Sequence, residues 1–213
     1  MKKSFKNCSI VFMSLCVTLI VFSINIVESR PFIWNSRPQP MIPASSDYFI
    51  MGDAVATKEQ CISYLLKNNP NPALTVSPEQ LVEYYYEEGS REGIKPDIAF
   101  AQALHETGYF RYGGSVVATQ NNFCGLGTVG GGARGAWFPN SQMGVRAHIQ
   151  HILAYSSTKP PSTNIVDPRY RLVTTTRNFG QARTWTDLDG KWAVPGYGYG
   201  EKILKIHNDI LEE

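Results

Sequence analysis

Between Gly93 and Gly108 the chain spells a helix with both ends marked and almost nothing polar in its middle. Pro96 suits a first helical position and Gly108 suits the residue just past a helix end. Ile98, Ala99, Phe100, Ala101, Ala103 and Leu104 leave no solvent-facing stripe, so this segment is expected at the centre of the fold. One face carries Ala99, Gln102, Ala103 and Glu106 at spacings of three and four. A carboxylate on an alanine-lined stripe is poorly hydrated, so its acid form should persist to higher pH than in water. A carboxylate at a helix C-terminus also opposes the helix dipole, so the position is not chosen for helix stability. Glu106 is therefore the candidate general acid; the competing reading is a helix-end glutamate in a surface salt bridge.

The flanking segments predict more helices. Thr57 with Gln60 three residues on forms a capping box, and Asn68-Asn69-Pro70 ends that helix. Ser77-Pro78-Glu79-Gln80 opens a second helix running to Glu92, whose partly polar stripe of Leu81, Tyr84, Tyr85 and Glu88 suggests the edge of the core. Tyr109 to Asn140 is rich in glycine, asparagine and aromatics, with Val116-Val117 as a short strand-like pair. Helix returns at Ser141, with Val145, Ile149 and Ile152 at helical spacing, and again from Gly198 to Leu211 with Ile203, Ile206 and Ile210 inward. The expected fold is mainly α: a helical domain with one irregular lobe flanking a groove.

Residues 1–29 combine Lys2, Lys3 and Lys6 with an apolar run from Ser9 to Val27 and a Val27-Glu28-Ser29 exit pattern, which reads as a secretory signal. The run also has the length of an uncleaved membrane anchor. Residues 30–46, with Pro31, Pro38, Pro40 and Pro43, read as a linker, which leaves 47–213 as the domain. Either leader fate puts the domain outside the cytoplasm: secreted into the wall region, or held by a single membrane span.

Of 20 basic and 18 acidic residues, the leader holds three Lys and one Glu, so 17 of each remain. Their distribution is uneven: residues 47–106 hold ten acidic and four basic groups, residues 107–183 one acidic and eight basic. In an exported protein, anionic wall polymers fit that basic half better than nucleic acid does, with a solvated mixed surface as the alternative. Two cysteines, Cys61 and Cys124, survive leader removal. They do not make a disulfide framework; Cys124, between Phe123 and Gly125, is expected to fill a small buried slot, with a Cys61–Cys124 bridge as the alternative.

Four ordered motifs carry a resemblance. They are Gly93 through Gly108, Asn121-Asn122-Phe123-Cys124-Gly125, Gly144-Val145-Arg146-Ala147-His148-Ile149-Gln150-His151, and Gly190-Lys191-Trp192-Ala193-Val194-Pro195-Gly196 with Tyr199-Gly200-Glu201-Lys202-Ile203. From about Phe49 to Leu211 the chain resembles the peptidoglycan endo-β-N-acetylglucosaminidases related to flagellar and autolysin enzymes, glycoside hydrolase family 73. The resemblance implies a lysozyme-like fold, a catalytic glutamate at Glu106 and a functional tyrosine at Tyr199, for which a packing role is the alternative. The chain departs from the family in having no Asp or Glu between Glu106 and Asp167, where a second carboxylate is often proposed. A partner acid would have to come from Asp167, Asp187, Asp189 or Glu201. Otherwise the substrate's own 2-acetamido group attacks, leaving one carboxyl as acid and then base.

Gln102, on the Glu106 face, and Asn121, Asn122 and Phe123, in the irregular lobe, are candidates for substrate binding, with an asparagine-stabilised turn as the alternative for the pair. Trp137 and Trp192, with Tyr109, Tyr112 and Phe138, are candidates for stacking on sugars, against the commoner role of core packing. His148 and His151 lie three apart without a third ligand, so packing is preferred to metal binding. Gly125-Leu126-Gly127-Thr128-Val129-Gly130 fits a dinucleotide fingerprint in spelling only, lacking a preceding strand and a following helix. The expectation is a monomeric hydrolase of peptidoglycan glycan strands that needs no metal or organic cofactor and binds no nucleic acid. Membrane contact is expected only with the leader uncleaved. The rivals are a lytic transglycosylase on the same fold and a non-catalytic wall-binding protein.

Overall fold

The computed structural model describes residues 48–128 and 134–213. The leader, the linker and Val129-Gly130 of the glycine-rich sequence lie outside the described residues. Among the described residues there are six α-helices: α1 (Lys58–Asn68), α2 (Pro78–Glu92), α3 (Pro96–Thr107), α4 (Ser141–Ser156), α5 (Tyr170–Thr174) and α6 (Tyr199–Leu211). Two 3₁₀ turns, Ala118–Gln120 and Trp185–Leu188, lie in the connections. Among the described residues there is no strand, only isolated bridges such as Phe49 with Thr184 and Met51 with Ile94. The Val116-Val117 pair does not form one; Val117 instead leads into the first 3₁₀ turn, because the segment finds no partner backbone.

The helix ends follow the capping chemistry. Thr57 and Gln60 exchange the two bonds of a capping box, at 3.2 and 2.9 Å. Ser77 Oγ accepts from Gln80 N at 3.2 Å ahead of Pro78, and Gly93 closes α2 at φ 72°. α3 has no side-chain cap at Lys95; its first turn is held by Asp97 instead. The Asp97 carboxylate accepts from Val55 N at 2.7 Å, Ala56 N at 2.9 Å and His207 Nε2 at 2.8 Å, tying the approach to α1, the start of α3 and the body of α6 together. Burial alone would raise its pKa, but these donors and His207 hold it below the usual value. A depressed carboxylate contributes stability above its unfolded pKa, and that contribution is lost as pH falls through the folded value.

Every residue of α3 from Ile98 to Leu104 is buried, and the helix packs against α1, α2 and α6. Tyr85, Phe100, Phe110 and Phe123 meet edge-on or tilted around it, with centroids 5.6–6.4 Å apart. α2 is deeper than its polar stripe suggests: Leu81, Tyr85 and Glu88 are all buried. The reason is charge pairing, since Arg146 of α4 reaches Glu88 with two bonds of 2.9 Å and Arg91 adds a third. Cys61 and Cys124 are free, buried thiols in separate clusters.

The irregular lobe is clamped onto α4 at Gly144. A Cβ there would lie 1.8 Å from the Asn121 carbonyl oxygen, so only glycine permits the approach. Gly144→Ala should therefore destabilise the fold by at least about 1–3 kcal/mol, read as a lower urea midpoint at unchanged slope. An unchanged midpoint would show that the lobe is not seated on α4 as described.

Candidate active site

The last turn of α3 delivers Glu106 to the floor of a cleft of about 570 Å³, walled by Gly125, Leu126, His151, Tyr155, Arg169, Trp192 and Tyr199 among others. A second depression of about 280 Å³ begins at the same glutamate and runs past Tyr112, Ser115 and Val116. Glu106, Gly125 and Thr128 belong to both, so the carboxyl sits where two binding spaces meet. That is where a polymer's scissile bond must lie if residues on both sides of it are held. Among the described residues lining either space, Glu106 is the only acid.

The carboxyl is largely desolvated, and Oε1 accepts two hydrogen bonds, from Trp192 Nε1 at 3.0 Å and from the Tyr199 hydroxyl. Burial raises the Glu106 pKa; the two donors pull the other way but do not cancel it. The net direction favours a proton on Glu106, the state a general acid must start from.

Behind Glu106 the hydrogen bonds form one oriented chain. Tyr85 OH bonds His148 Nδ1 at 2.9 Å, and His148 Nε2 bonds Gln102 Oε1 at 3.1 Å. Gln102 Nε2 donates to the Tyr199 oxygen at 2.7 Å, and the Tyr199 hydroxyl donates to Glu106. Burial holds the His148 pKa down to about 3, so it is the neutral imidazole. The Gln102 oxygen can only accept, which puts the imidazole proton on Nε2 and makes Nδ1 the acceptor for Tyr85. Every donor then points toward the carboxyl.

The candidates from sequence divide into two groups. Glu106, Tyr199 and Trp192 come together in the cleft. Gln102 does not reach it: the side chain is fully buried between Tyr199 and His148, so it orients Tyr199 instead of binding sugar. Asn121, Asn122 and Phe123 are also buried, and their side chains do not line the groove. Asn121 accepts from Thr75 and Ser141 and donates to Phe138 O at 3.1 Å. Asn122 bonds Leu126 N and O, each at 2.9 Å, and Ala136 O at 3.1 Å. These amides pair with backbone groups of a strandless lobe, alongside the Ala136 N to Leu126 O bond of 2.7 Å. Phe123 belongs to the aromatic core. Trp137 is 58% exposed but lines a separate depression with Pro139, Met143 and Pro168, away from Glu106.

The four acids of the C-terminal third are engaged elsewhere. Asp167 bonds His151 Nδ1 at 2.8 Å, and Asp187 caps the second 3₁₀ turn from Thr184 N at 2.8 Å. Asp189 accepts from Gly198 N at 2.9 Å and Gly200 N at 2.8 Å, closing the start of α6 that has no cap of its own. Glu201 faces another hollow beside Tyr48 and Thr186. His151, Tyr155, Arg169 and Lys191 line the cleft without having been singled out as substrate contacts. The histidine pair on α4 is the sequence signal for His151 alone, and its spacing reads as packing in preference to metal binding.

A relative in Borreliella burgdorferi strain B31, described as an uncharacterized protein, is 37% identical over 168 residues, covering 77% of this chain and 78% of the relative. No solved structure matches. The Glucosaminidase family model, described as mannosyl-glycoprotein endo-beta-N-acetylglucosaminidase, matches residues 82–212, a span holding Glu106, Trp192 and Tyr199. With more than half of its length matched and a mainly helical, lysozyme-like architecture, the chain belongs to the Glucosaminidase family of endo-β-N-acetylglucosaminidase glycoside hydrolases.

Proposed function

We propose that this glycoside hydrolase is exported and cleaves the β-1,4 bond following N-acetylglucosamine in peptidoglycan, with Glu106 as general acid. The observation that carries the reading is the lone, desolvated, doubly hydrogen-bonded carboxyl at the meeting point of two clefts. Family membership makes N-acetylglucosamine the sugar whose bond is cut. Arg169 and Lys191 on the cleft wall suit the carboxylates of a muramyl peptide.

Glu106 gives its proton to the departing glycosidic oxygen. With no second acid on the described cleft walls, the nucleophile is the substrate's own acetamido oxygen, and Glu106 then draws a proton from the incoming water. Trp192 and Tyr199 stabilise the carboxylate left after the first proton transfer, so they favour the transition state over the resting acid.

Glu106→Gln should lower turnover of purified peptidoglycan by about 10²–10⁴-fold. A glutamate whose folded pKa is raised stabilises the fold below its unfolded pKa, and loses that contribution as pH rises through the folded value. The uncharged glutamine should therefore melt no lower than wild type at neutral pH. Wild-type digests should carry N-acetylglucosamine reducing ends; 1,6-anhydromuramyl ends would assign the protein to the transglycosylases. Retention of more than a tenth of wild-type activity by Glu106→Gln would remove Glu106 from the mechanism.

Export rests on the leader alone, and it places the mature amino terminus near Arg30. Amino-terminal sequencing of protein recovered from culture fluid or wall extract checks this. Recovery only in membranes with residues 1–29 intact would make the leader an anchor.

A further inference from the structure

His151 faces the cleft from α4, and its two ring nitrogens differ in a way the mechanism above does not use. Nδ1 lies 2.8 Å from Asp167 Oδ2, a carboxylate that is itself buried and also accepts from Arg169 N at 2.8 Å. A carboxylate on Nδ1 fixes the proton there and leaves Nε2 with its lone pair. Nε2 has no hydrogen-bond partner among the described residues. Among the described residues the sealed side-chain polar atoms without a partner are Tyr112 OH and Trp185 Nε1, so Nε2 keeps contact with solvent, and His151 lines the cleft. Trp192 joins this acceptor to the acid: its Nε1 donates to Glu106 at 3.0 Å, and its ring centroid stands 4.8 Å from the imidazole. Tyr155 packs edge-on against the same imidazole at 5.4 Å and stands 5.8 Å from the Trp192 ring, so the three rings form one cluster. One indole therefore separates a proton donor from an oriented proton acceptor in the same cleft.

Substrate assistance needs such an acceptor. When an acetamido oxygen attacks the anomeric carbon, its N–H becomes strongly acidic, and a group that takes this proton stabilises the cyclised intermediate. No acid other than Glu106 is available on the described cleft walls. We infer that His151, oriented by Asp167, is the second catalytic group and accepts the acetamido N–H of the N-acetylglucosamine being cleaved.

The step balances as follows, and it rests on the glycosidase reading given above. The acetamido oxygen bonds to C1 while the C1–glycosidic oxygen bond breaks. Glu106 protonates the departing oxygen, and the amide proton passes to His151 Nε2. The products are a free hydroxyl on the departing strand, a neutral oxazoline, a Glu106 carboxylate and an imidazolium beside the Asp167 carboxylate. In the return half, Glu106 takes a proton from water, whose oxygen bonds to C1 as the oxazoline C1–O bond breaks. His151 returns its proton to nitrogen. One water is consumed and the β configuration is retained. His151 is thus a catalytic residue and Asp167 a positioning residue.

The test uses the mature enzyme with purified peptidoglycan, and a glucosamine-derived thiazoline as the stable mimic of the cyclised intermediate. His151→Ala should lower kcat at least tenfold and weaken the thiazoline at least tenfold, while affinity for a chitooligosaccharide product changes less than threefold. Asp167→Asn, which no longer fixes the Nδ1 proton, should weaken the thiazoline in the same selective way. A merely structural role would weaken both ligands together, and that result overturns the inference. If His151→Ala does not fold, His151→Gln is read by the same ratio. Newly formed reducing ends should appear first as the β anomer by NMR; an α product would place His151 on water instead and contradict the assignment. Wild-type enzyme that yields no N-acetylglucosamine ends overturns the glycosidase reading and this inference with it. Normal products with His151→Ala above half of wild-type kcat overturn this inference alone.

Discussion

A single line of hydrogen bonds holds the site in place: Tyr85 to His148, His148 to Gln102, Gln102 to Tyr199 and Tyr199 to Glu106. Its members come from α2, α4, α3 and α6, so four helices must be in register for the line to close. The first three links are buried and the last is partly so; an unpaired buried polar group costs roughly 1–3 kcal/mol, so a misaligned helix is penalised at several places together. The line has one direction. Donors aligned head to tail polarise one another, and the final hydroxyl is aimed at the carboxyl that must become negative during the reaction. Alanines 99 and 103 of α3 serve the same end by keeping water from that face.

Burial and donation act on Glu106 in opposite senses, and the proposed use of one residue as acid and then base rests on the balance between them. Desolvation raises the carboxyl's pKa, and the hydrogen bonds from Tyr199 and Trp192 offset part of that rise. The acids of the C-terminal third do not line the cleft: Glu201 faces another hollow, and the rest hold structural bonds. Asp97 fastens three elements around α3, Asp189 closes α6, Asp187 caps a 3₁₀ turn and Asp167 is committed to His151. The absence of acids between Glu106 and Asp167, which looks in the sequence like a missing part, is met in the proposed mechanism by an imidazole backed by a carboxylate.

The helices were legible because their ends are written in local chemistry: Thr57 with Gln60, Ser77 with Pro78, Pro96 with Gly108. Such signals depend on neighbours three or four residues away, and tertiary contacts left them unchanged. Depth was less legible. Glu88 reads as a surface residue until Arg146, 58 positions later, supplies its counter-charge. The lobe was least legible, since a segment without periodicity gives no face to assign. Asn121 and Asn122 have the hydrogen-bonding capacity a sugar needs, and the backbone of the lobe needs the same capacity. Trp137 shows the converse, an aromatic that is exposed but in another depression. Glu106, Trp192 and Tyr199 could be placed together only through motif order, and His151 with Asp167 joins residues whose spacing has no helical or strand period.

The account turns on Glu106 carrying a proton in the folded enzyme where an ordinary glutamate would not. Carbon-13 NMR of protein labelled at the glutamate side-chain carboxyl, with the Glu106 signal assigned by its loss in Glu106→Gln, follows that titration directly. The signal should titrate above the usual glutamate range. Replacing Tyr199 with Phe removes a donor to the charged form and should move the midpoint higher still. A Glu106 midpoint at or below that of an exposed glutamate would contradict the account, because the carboxyl would then enter the reaction already deprotonated.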